Sequence, residues 1–172
     1  MRAVAPKVSR VAVLLQSTNP AHPSLFLRIM TAGQKARIPV VVAQAGSIEE
    51  IGREFAVITK ELANGVIVLG DPLFLQEARL LADQALRHRL PSISIAREFV
   101  EAGLLASYGA NLKDNFRRAA TSVDRILRGA KSAEMPIEQP TRYSLVINGK
   151  TAKGLGLTLS PAIVRQAEEV IQ

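Results

Sequence analysis

Residues 65–72 read GVIVLGDP, and this stretch is the most informative part of the chain for its fold. Val66–Leu69 is a run of four apolar residues, three of them β-branched, which favours a strand buried on both faces. Asp71 beside Pro72 then supplies a helix N-cap and a residue suited to the first helical position. The stretch predicts a buried strand that leads directly into a helix.

Similar apolar runs recur along the 172-residue chain and alternate with amphipathic stretches. The predicted strands are Arg10–Leu15, Val40–Gln44, Gly65–Leu69, Ser92–Ala96, Leu104–Tyr108 and Tyr143–Ile147. Strands that alternate with helices indicate βαβ units, because parallel strands need long crossover connections. The sequence therefore predicts an α/β fold, a three-layer sandwich around a mostly parallel, doubly wound sheet.

Helices are predicted from capping residues and from apolar residues three or four positions apart. Ser47 and Glu50 form a capping-box pattern at the start of one helix, and Asn111 precedes another. The predicted helices cover residues 23–37, 48–62, 72–87, 112–128 and 151–155, with a last one from Ser160-Pro161 to Ile171.

The stretch Gly129–Arg142 contains two prolines and few apolar residues, which is typical of a connector. We therefore divide the chain into three parts. Residues 1–109 form an α/β lobe, residues 110–142 a crossover helix and connector, and residues 143–172 a returning strand and C-terminal helices of the same lobe.

The composition narrows the range of functions. Lys and Arg number 22 against 15 Asp and Glu, which gives a net charge of +7 and raises the question of a polyanionic partner. The basic residues lie along predicted helices, and only 4% of residues are aromatic, so we expect solvated helix faces rather than a nucleic-acid site. The chain has no cysteine, which excludes disulfides, thiol nucleophiles and cysteine-ligated zinc.

The candidate motifs for catalysis or cofactor binding each lack a residue that the motif requires. Asn148–Thr151 resembles the end of a phosphate-binding P-loop, but Ser144 stands where that motif requires a glycine. Neither His22 nor His88 has a partner at metal-ligand spacing, and Glu168-Glu169 is assigned to helical positions with a capping or solvent role. We expect no metal, no cofactor and no enzymatic activity.

Polar residues follow several predicted strands. In an open parallel sheet the loops after the strands meet at one edge, where ligands bind. The candidate ligand-binding residues are Gln16, Ser17, Asn19, Asp71, Phe74, Arg97, Glu98 and Tyr108. Each has a structural alternative: Asp71 suits a helix cap, Ser17 and Asn19 suit turns, and Arg97 and Glu98 suit a solvated surface.

Several motifs carry a family resemblance that spans most of the chain after Ser9. They are Leu69–Phe74, Arg89–Pro91, Arg97–Gly103, Ser107–Gly109, Ile126–Lys131, Glu138–Thr141, Leu145–Asn148, Thr151–Lys153 and Leu155–Thr158. In this order and spacing they resemble the C-terminal half of substrate-binding proteins of bacterial ABC transporters, specifically the tryptophan/tyrosine-uptake-like family with a type I periplasmic-binding fold. The sequence departs from that family at Leu104, Gly149 and Gly154.

The resemblance implies two similar lobes joined by hinge strands, with a small solute closed between them. It implies that this chain holds one lobe, without the first lobe and the export signal, and that the loops after Leu15, Leu69 and Ile95 lie at the cleft. The family's location is periplasmic or otherwise extracytoplasmic, and its partner is an ABC transporter permease. An amino acid is a solute compatible with both Asp71 and Arg97.

Two functions from different classes follow. The first is a solute-binding component of an ABC-type import system, and the second is a free-standing flavodoxin-like regulatory or nucleic-acid-binding module. By the resemblance, the apolar face of Leu112–Arg128 normally packs on the first lobe. We therefore expect a homodimer through this face, the alternative being that the helix folds back on its own sheet.

Overall fold

The computed structural model describes residues 1–136 and 142–172, and of Leu112 and Lys113 only the backbone. The strands are β1 (Val11–Gln16), β2 (Val40–Ala45), β3 (Val66–Val68), β4 (Ser92–Ser94), β5 (Ala106–Ala110), β6 (Tyr143–Asn148) and β7 (Glu169–Ile171). The helices are α1 (His22–Ala36), α2 (Ile48–Lys60), α3 (Pro72–Gln76), α4 (Ala78–Arg87), α5 (Arg97–Glu101), α6 (Leu112–Leu127), α7 (Gly149–Gly154) and α8 (Pro161–Gln166). A 3₁₀ turn covers Ser132–Glu134. The motif Glu138–Thr141 and most of the second half of the connector lie outside the described residues.

The described strands form one seven-stranded sheet in the order β2-β1-β3-β4-β5-β6-β7. All neighbouring pairs are parallel except β5 and β6, which run antiparallel with Ser107 opposite Val146. Helices cover both faces of the sheet, because alternate residues of β1 pack into different clusters: Ala12 and Leu14 against the α2 and α4 side, Val13 and Leu15 against the α1 side. The predicted α/β class and mostly parallel sheet are confirmed.

The core is largest on the face covered by α2 to α5. Phe55, Phe74, Phe99 and Leu81 are fully buried there. Burying such a side chain contributes roughly 1.5–3 kcal/mol each, so this face supplies much of the stability. A smaller cluster between α7, α8 and the β5–β6 pair contains Ile147.

The predicted helix over 72–87 is wrong in its continuity, because it is two helices separated at Glu77. Within α3, Leu75 is 44% exposed and Phe74 is fully buried. The start is as predicted: Asp71 Oδ1 accepts a hydrogen bond of 2.9 Å from the Leu73 N–H. Helix α2 also begins where predicted, but Glu50 accepts from the Gly46 N–H rather than from that of Ser47.

The predicted C-terminal helix begins at Pro161 as expected, with Ser160 as its cap, but its predicted end at Ile171 is wrong. Helix α8 ends at Gln166, and the next residues pair with β6 as the short parallel strand β7. The Glu168 N–H donates to the Leu145 carbonyl at 2.8 Å, which starts this pairing. The helical role assigned to Glu168-Glu169 is therefore corrected, since Glu169 begins a strand.

Helix α6 stands apart from the core. Asn111 Oδ1 accepts from the Asp114 N–H, as expected of its cap. Along the predicted apolar face, Phe116 is 73% exposed and Leu127 is 81% exposed. The alternative in which this helix folds back on its own sheet is therefore not what the structure shows.

Candidate functional site

The loops after β1 and β3 meet at the carboxyl edge of the sheet, as predicted. Asn19 Nδ2 donates to Asp71 Oδ2 at 2.7 Å, while the other Asp71 oxygen caps α3. Asp71 therefore serves as a helix cap and at the same time belongs to a polar cluster at the rim. Its carboxylate is half-buried, which strengthens its interactions relative to those of a fully solvated group.

The turn after β1 is closed by its own side chains. Gln16 Oε1 accepts from the Thr18 N–H at 2.7 Å, and Gln16 Nε2 donates to the Thr18 hydroxyl at 2.8 Å. Ser17 is exposed beside the loop after β2, and its hydroxyl lies only 2.5 Å from the position that a Cβ on Gly46 would take. Glycine at this position thus lets the two loops approach.

A buried histidine, which the sequence did not single out for the site, joins the same two loops. His22 is 1% exposed, and its Nδ1 accepts from the Gln16 N–H at 2.8 Å. Its Nε2 lies 3.2 Å from the Gly70 carbonyl oxygen. Because an N–H only donates and a carbonyl only accepts, these partners require the neutral ring with hydrogen on Nε2. His22 therefore positions the loops that carry Asn19 and Asp71.

Two further predicted site residues, Phe74 and Tyr108, differ in how far a solute could reach them. Phe74 is fully buried in the main core cluster, so it offers no surface to a solute. Tyr108 lies on the opposite face of β5 from its neighbour Ser107, because successive strand residues point to opposite faces. Its ring stacks on Tyr143 with centroids 5.7 Å apart. The burial of Phe74 corrects its assignment as a ligand contact. Tyr108 is 55% exposed, and its contact with a solute stays a prediction.

Arg97 is held by two carboxylates. Its Nε donates to Glu101 at 2.6 Å, and its two terminal nitrogens donate to the two oxygens of Glu169 at 2.6 and 3.1 Å. The hydrogen bonds to Glu169 and then to Glu101 raise the pKa of the guanidinium further above its ordinary value. Arg97 is therefore a charged tie between α5 and β7, with its charge already matched by protein carboxylates.

A cavity of about 260 Å³ lies beside this tie, over the ends of β4, β5 and β6. Its polar lining residues are Arg97, Glu98, Ser107, Asn111, Ser144 and Glu168. Ser107 is 2% exposed, and Glu168 accepts hydrogen bonds from the Ser144 hydroxyl and from Asn111 Nδ2. Of the predicted site residues, the structure thus brings Arg97 and Glu98 to one cavity and Asn19 and Asp71 to the loops after β1 and β3.

Ser144 and Glu168 line the cavity but are not predicted from the sequence as site residues. Ser144 reaches the cavity because it pairs with Gly109 across the antiparallel β5–β6 register, and Glu168 because β7 returns to β6. No local pattern signals either pairing. Among residues 1–136 and 142–172 there is no cluster of metal-ligating side chains, and no helix there is long and apolar enough to span a membrane.

The profile of the family described as "ABC transporter substrate binding protein" matches residues 1–171. No curated protein matches the chain significantly.

Solved structures share the fold. A conserved domain protein from Vibrio cholerae O1 biovar El Tor matches with a TM-score of 0.86 at 22% identity, over 98% of this chain and 57% of its own. An ABC domain in complex with L-Trp from Streptococcus pneumoniae matches with a TM-score of 0.86 at 24% identity, over 99% of this chain and 59% of its own. A ligand-free, open substrate-binding protein with adhesive properties from Clostridium difficile matches with a TM-score of 0.80 at 18% identity, over 99% and 57%. The chain thus spans somewhat more than half the length of these proteins.

Proposed function

Because the chain belongs to the ABC transporter substrate binding protein family, we propose that it acts as a solute-binding component of an ABC-type import system. The observation that carries this proposal is the polar rim at the carboxyl edge of the sheet. There the Asn19–Asp71 pair and the cavity beside Arg97 lie where open α/β sheets bind ligands. The rim would form one wall of a cleft around a small solute.

The relatives suggest where an opposite wall would come from. They are longer than this chain, which covers 57% and 59% of two of them. In a two-lobe arrangement, the second lobe would close over the rim, and closure would report an occupied site to the transporter. We propose an ABC permease as the partner and an extracytoplasmic location, both by family membership.

The solute class is proposed to be an amino acid. One structure that shares the fold holds L-Trp, and the rim of this chain offers carboxylates, amides and hydroxyls, which suit a small zwitterion. We propose binding without catalysis. The family match does not favour the alternative of a free-standing flavodoxin-like regulatory or nucleic-acid-binding module.

Isothermal titration of the chain against the twenty common amino acids tests this function. Saturable heat is expected for at least one of them, with Asp71→Asn weakening that binding and Asp83→Asn leaving it unchanged. Asp83 is the matched control because it is an exposed carboxylate on α4, paired with Arg79. Saturable binding that is equally strong in both variants would overturn the placement of the site, and no binding by any amino acid would overturn the solute class.

We also propose that two copies associate through α6. Its apolar residues Phe116, Val123 and Leu127 are more than half exposed. Several apolar side chains on one exposed helix face form a surface that proteins usually cover. A second copy can cover it by packing the same face against itself about a twofold axis.

A further inference from the structure

The cavity over β4, β5 and β6 is lined by two carboxylates, Glu98 and Glu168, and by the Ser107 hydroxyl. We infer that it binds a primary ammonium group of the solute, with Glu168 as the counter-charge and the Ser107 hydroxyl as an acceptor. This inference rests on the proposed function and adds to it which part of the solute this cavity would hold. The volume of about 260 Å³ is ample for an ammonium and several attached carbons.

The charges around the cavity favour a cation. Arg97 is the basic residue among its lining, and both Glu101 and Glu169 already bind that guanidinium. Glu98 and Glu168 line the same cavity and form no ion pair with any described residue. A carboxylate of a solute placed here would meet like charges, whereas an ammonium would meet opposite ones.

Ser107 gives an independent indication of a ligand. It is 2% exposed and lines the cavity, yet no hydrogen bond engages its hydroxyl within the described part of the chain. No side-chain nitrogen or oxygen of the described residues is both fully buried and without a partner, so the Ser107 hydroxyl is open to the cavity, where it can accept a hydrogen bond from a ligand. An ammonium has three donors and no acceptor, and therefore suits a hydroxyl oxygen beside a carboxylate.

The remaining lining holds the acceptors in place. The Ser144 hydroxyl donates to Glu168 Oε2, and Asn111 Nδ2 lies 3.4 Å from Glu168 Oε1, so both carboxylate oxygens are oriented. Gly109 lies against the Ile95 carbonyl so closely that a Cβ would clash with it, which keeps the β4 and β5 ends together. The acceptors are thus positioned before any ligand arrives.

A pair of small probes tests the inference without knowledge of the natural solute. The ¹⁵N-labelled chain is titrated with n-butylammonium chloride and, separately, with sodium butyrate at constant ionic strength. Saturable shifts of the Ser107, Gly109 and Asn111 amides are expected with butylammonium only. Equal shifts with butyrate, equal shifts with sodium chloride alone, or no saturable shift would overturn the inference.

Variants then assign the binding to named groups. Ser107→Ala and Glu168→Gln are each expected to weaken butylammonium binding about tenfold, because each removes an acceptor for a charged donor. Glu98→Gln should weaken it less and, as a change at an exposed residue, leaves folding intact. Asp83→Asn is the control. Unchanged affinity in all three cavity variants would overturn the inference.

The two proposals fail in distinguishable ways. If an amino acid binds to the chain, but its affinity does not change in Ser107→Ala or Glu168→Gln, the ammonium site is wrong and the solute-binding function stands. If butylammonium binds at the cavity while no amino acid binds, the ammonium site stands and the proposed solute class is wrong.

Discussion

Arg97 and Glu169 are joined by two hydrogen bonds although they lie 72 positions apart in the chain. The pair connects the first residue of α5 to the first residue of β7, and Glu101 adds a third bond to the same guanidinium. The side chains are 44% and 46% exposed. An arginine that the sequence placed among the ligand contacts is therefore a tie between the middle of the sheet and its C-terminal edge.

Replacing Arg97 by Lys is expected to lower the free energy of unfolding by about 0.5–1 kcal/mol, because a lysine cannot form the two-bond geometry and the pair is partly solvated. Urea unfolding measures the change. Arg79→Lys is the control, since Arg79 forms a single exposed pair with Asp83 and should show almost no loss. Equal losses in both variants would contradict the role of Arg97 as a tie.

Asp71 combines a structural bond with a proposed ligand contact, and two substitutions separate them. Asp71→Ala removes the cap of α3 and is expected to cost about 1 kcal/mol of stability. Asp71→Asn keeps a capping oxygen but loses the charge, so it should cost less stability and still weaken solute binding. Thermal melts measure the stability of each variant, and isothermal titration of the same samples measures its affinity for the solute. Full affinity in Asp71→Asn would show that Asp71 is only a cap.

His22 is expected to stabilise the rim through its two buried hydrogen bonds. His22→Leu keeps the apolar packing but leaves the Gln16 N–H and the Gly70 carbonyl without their partner, at a cost of about 2–3 kcal/mol. Hydrogen exchange of the Gln16 amide should speed up together with the drop in urea midpoint. His88→Leu is the control, because His88 is half-buried and bonds a single hydroxyl, that of Thr59. A larger loss in His88→Leu would contradict this role of His22.

The exposed face of α6 predicts association. Light scattering at micromolar concentration should give twice the monomer mass of 18.6 kDa, and Phe116→Glu should return the protein to monomer because it places a charge in the apolar face. Thr121→Glu makes the same change in charge on the opposite side of the helix and should leave the dimer intact. A monomeric mass for the unmodified protein would contradict the proposed dimer.

Local sequence patterns were sufficient for most of the fold. The apolar runs gave six of the strands, and capping residues such as Asp71 and Asn111 gave helix starts, because both signals act within a few residues. β7 was missed since Glu169–Ile171 is short and becomes a strand only through its pairing with β6. The break at Glu77 was missed for a similar reason, as the tertiary packing of Phe74 overrides the helical periodicity.

The site was less predictable than the fold. Ligands bind in the loops after the strands of an open parallel sheet, and this rule predicts the loops of Asn19 and Asp71. The structure joins these two residues by a hydrogen bond. It could not find Ser144 or Glu168, because these reach the cavity through an antiparallel register and a returning strand. Tyr108 and Ser107 are neighbours in sequence, and only the face of β5 decides that Ser107 lines the cavity.

The close contact between Gly109 and Ile95 gives a last prediction. A Cβ at Gly109 would clash with the Ile95 carbonyl oxygen and with backbone atoms beside it, which cannot rotate away as a side chain can. Gly109→Ala is therefore expected to lower the free energy of unfolding by about 1–3 kcal/mol and to weaken butylammonium binding.

The same substitution at Gly52 should raise the free energy of unfolding instead of lowering it. Gly52 lies within α2, and a Cβ there would meet only the end of the Gln84 side chain, at 3.8 Å. Gly52→Ala is expected to raise stability by about 0.5–1 kcal/mol, because alanine loses less backbone entropy in a helix than glycine does. Parallel urea titrations compare the two variants. A stabilised Gly109→Ala protein would show that the β4 and β5 ends are not packed as closely as the structure has them.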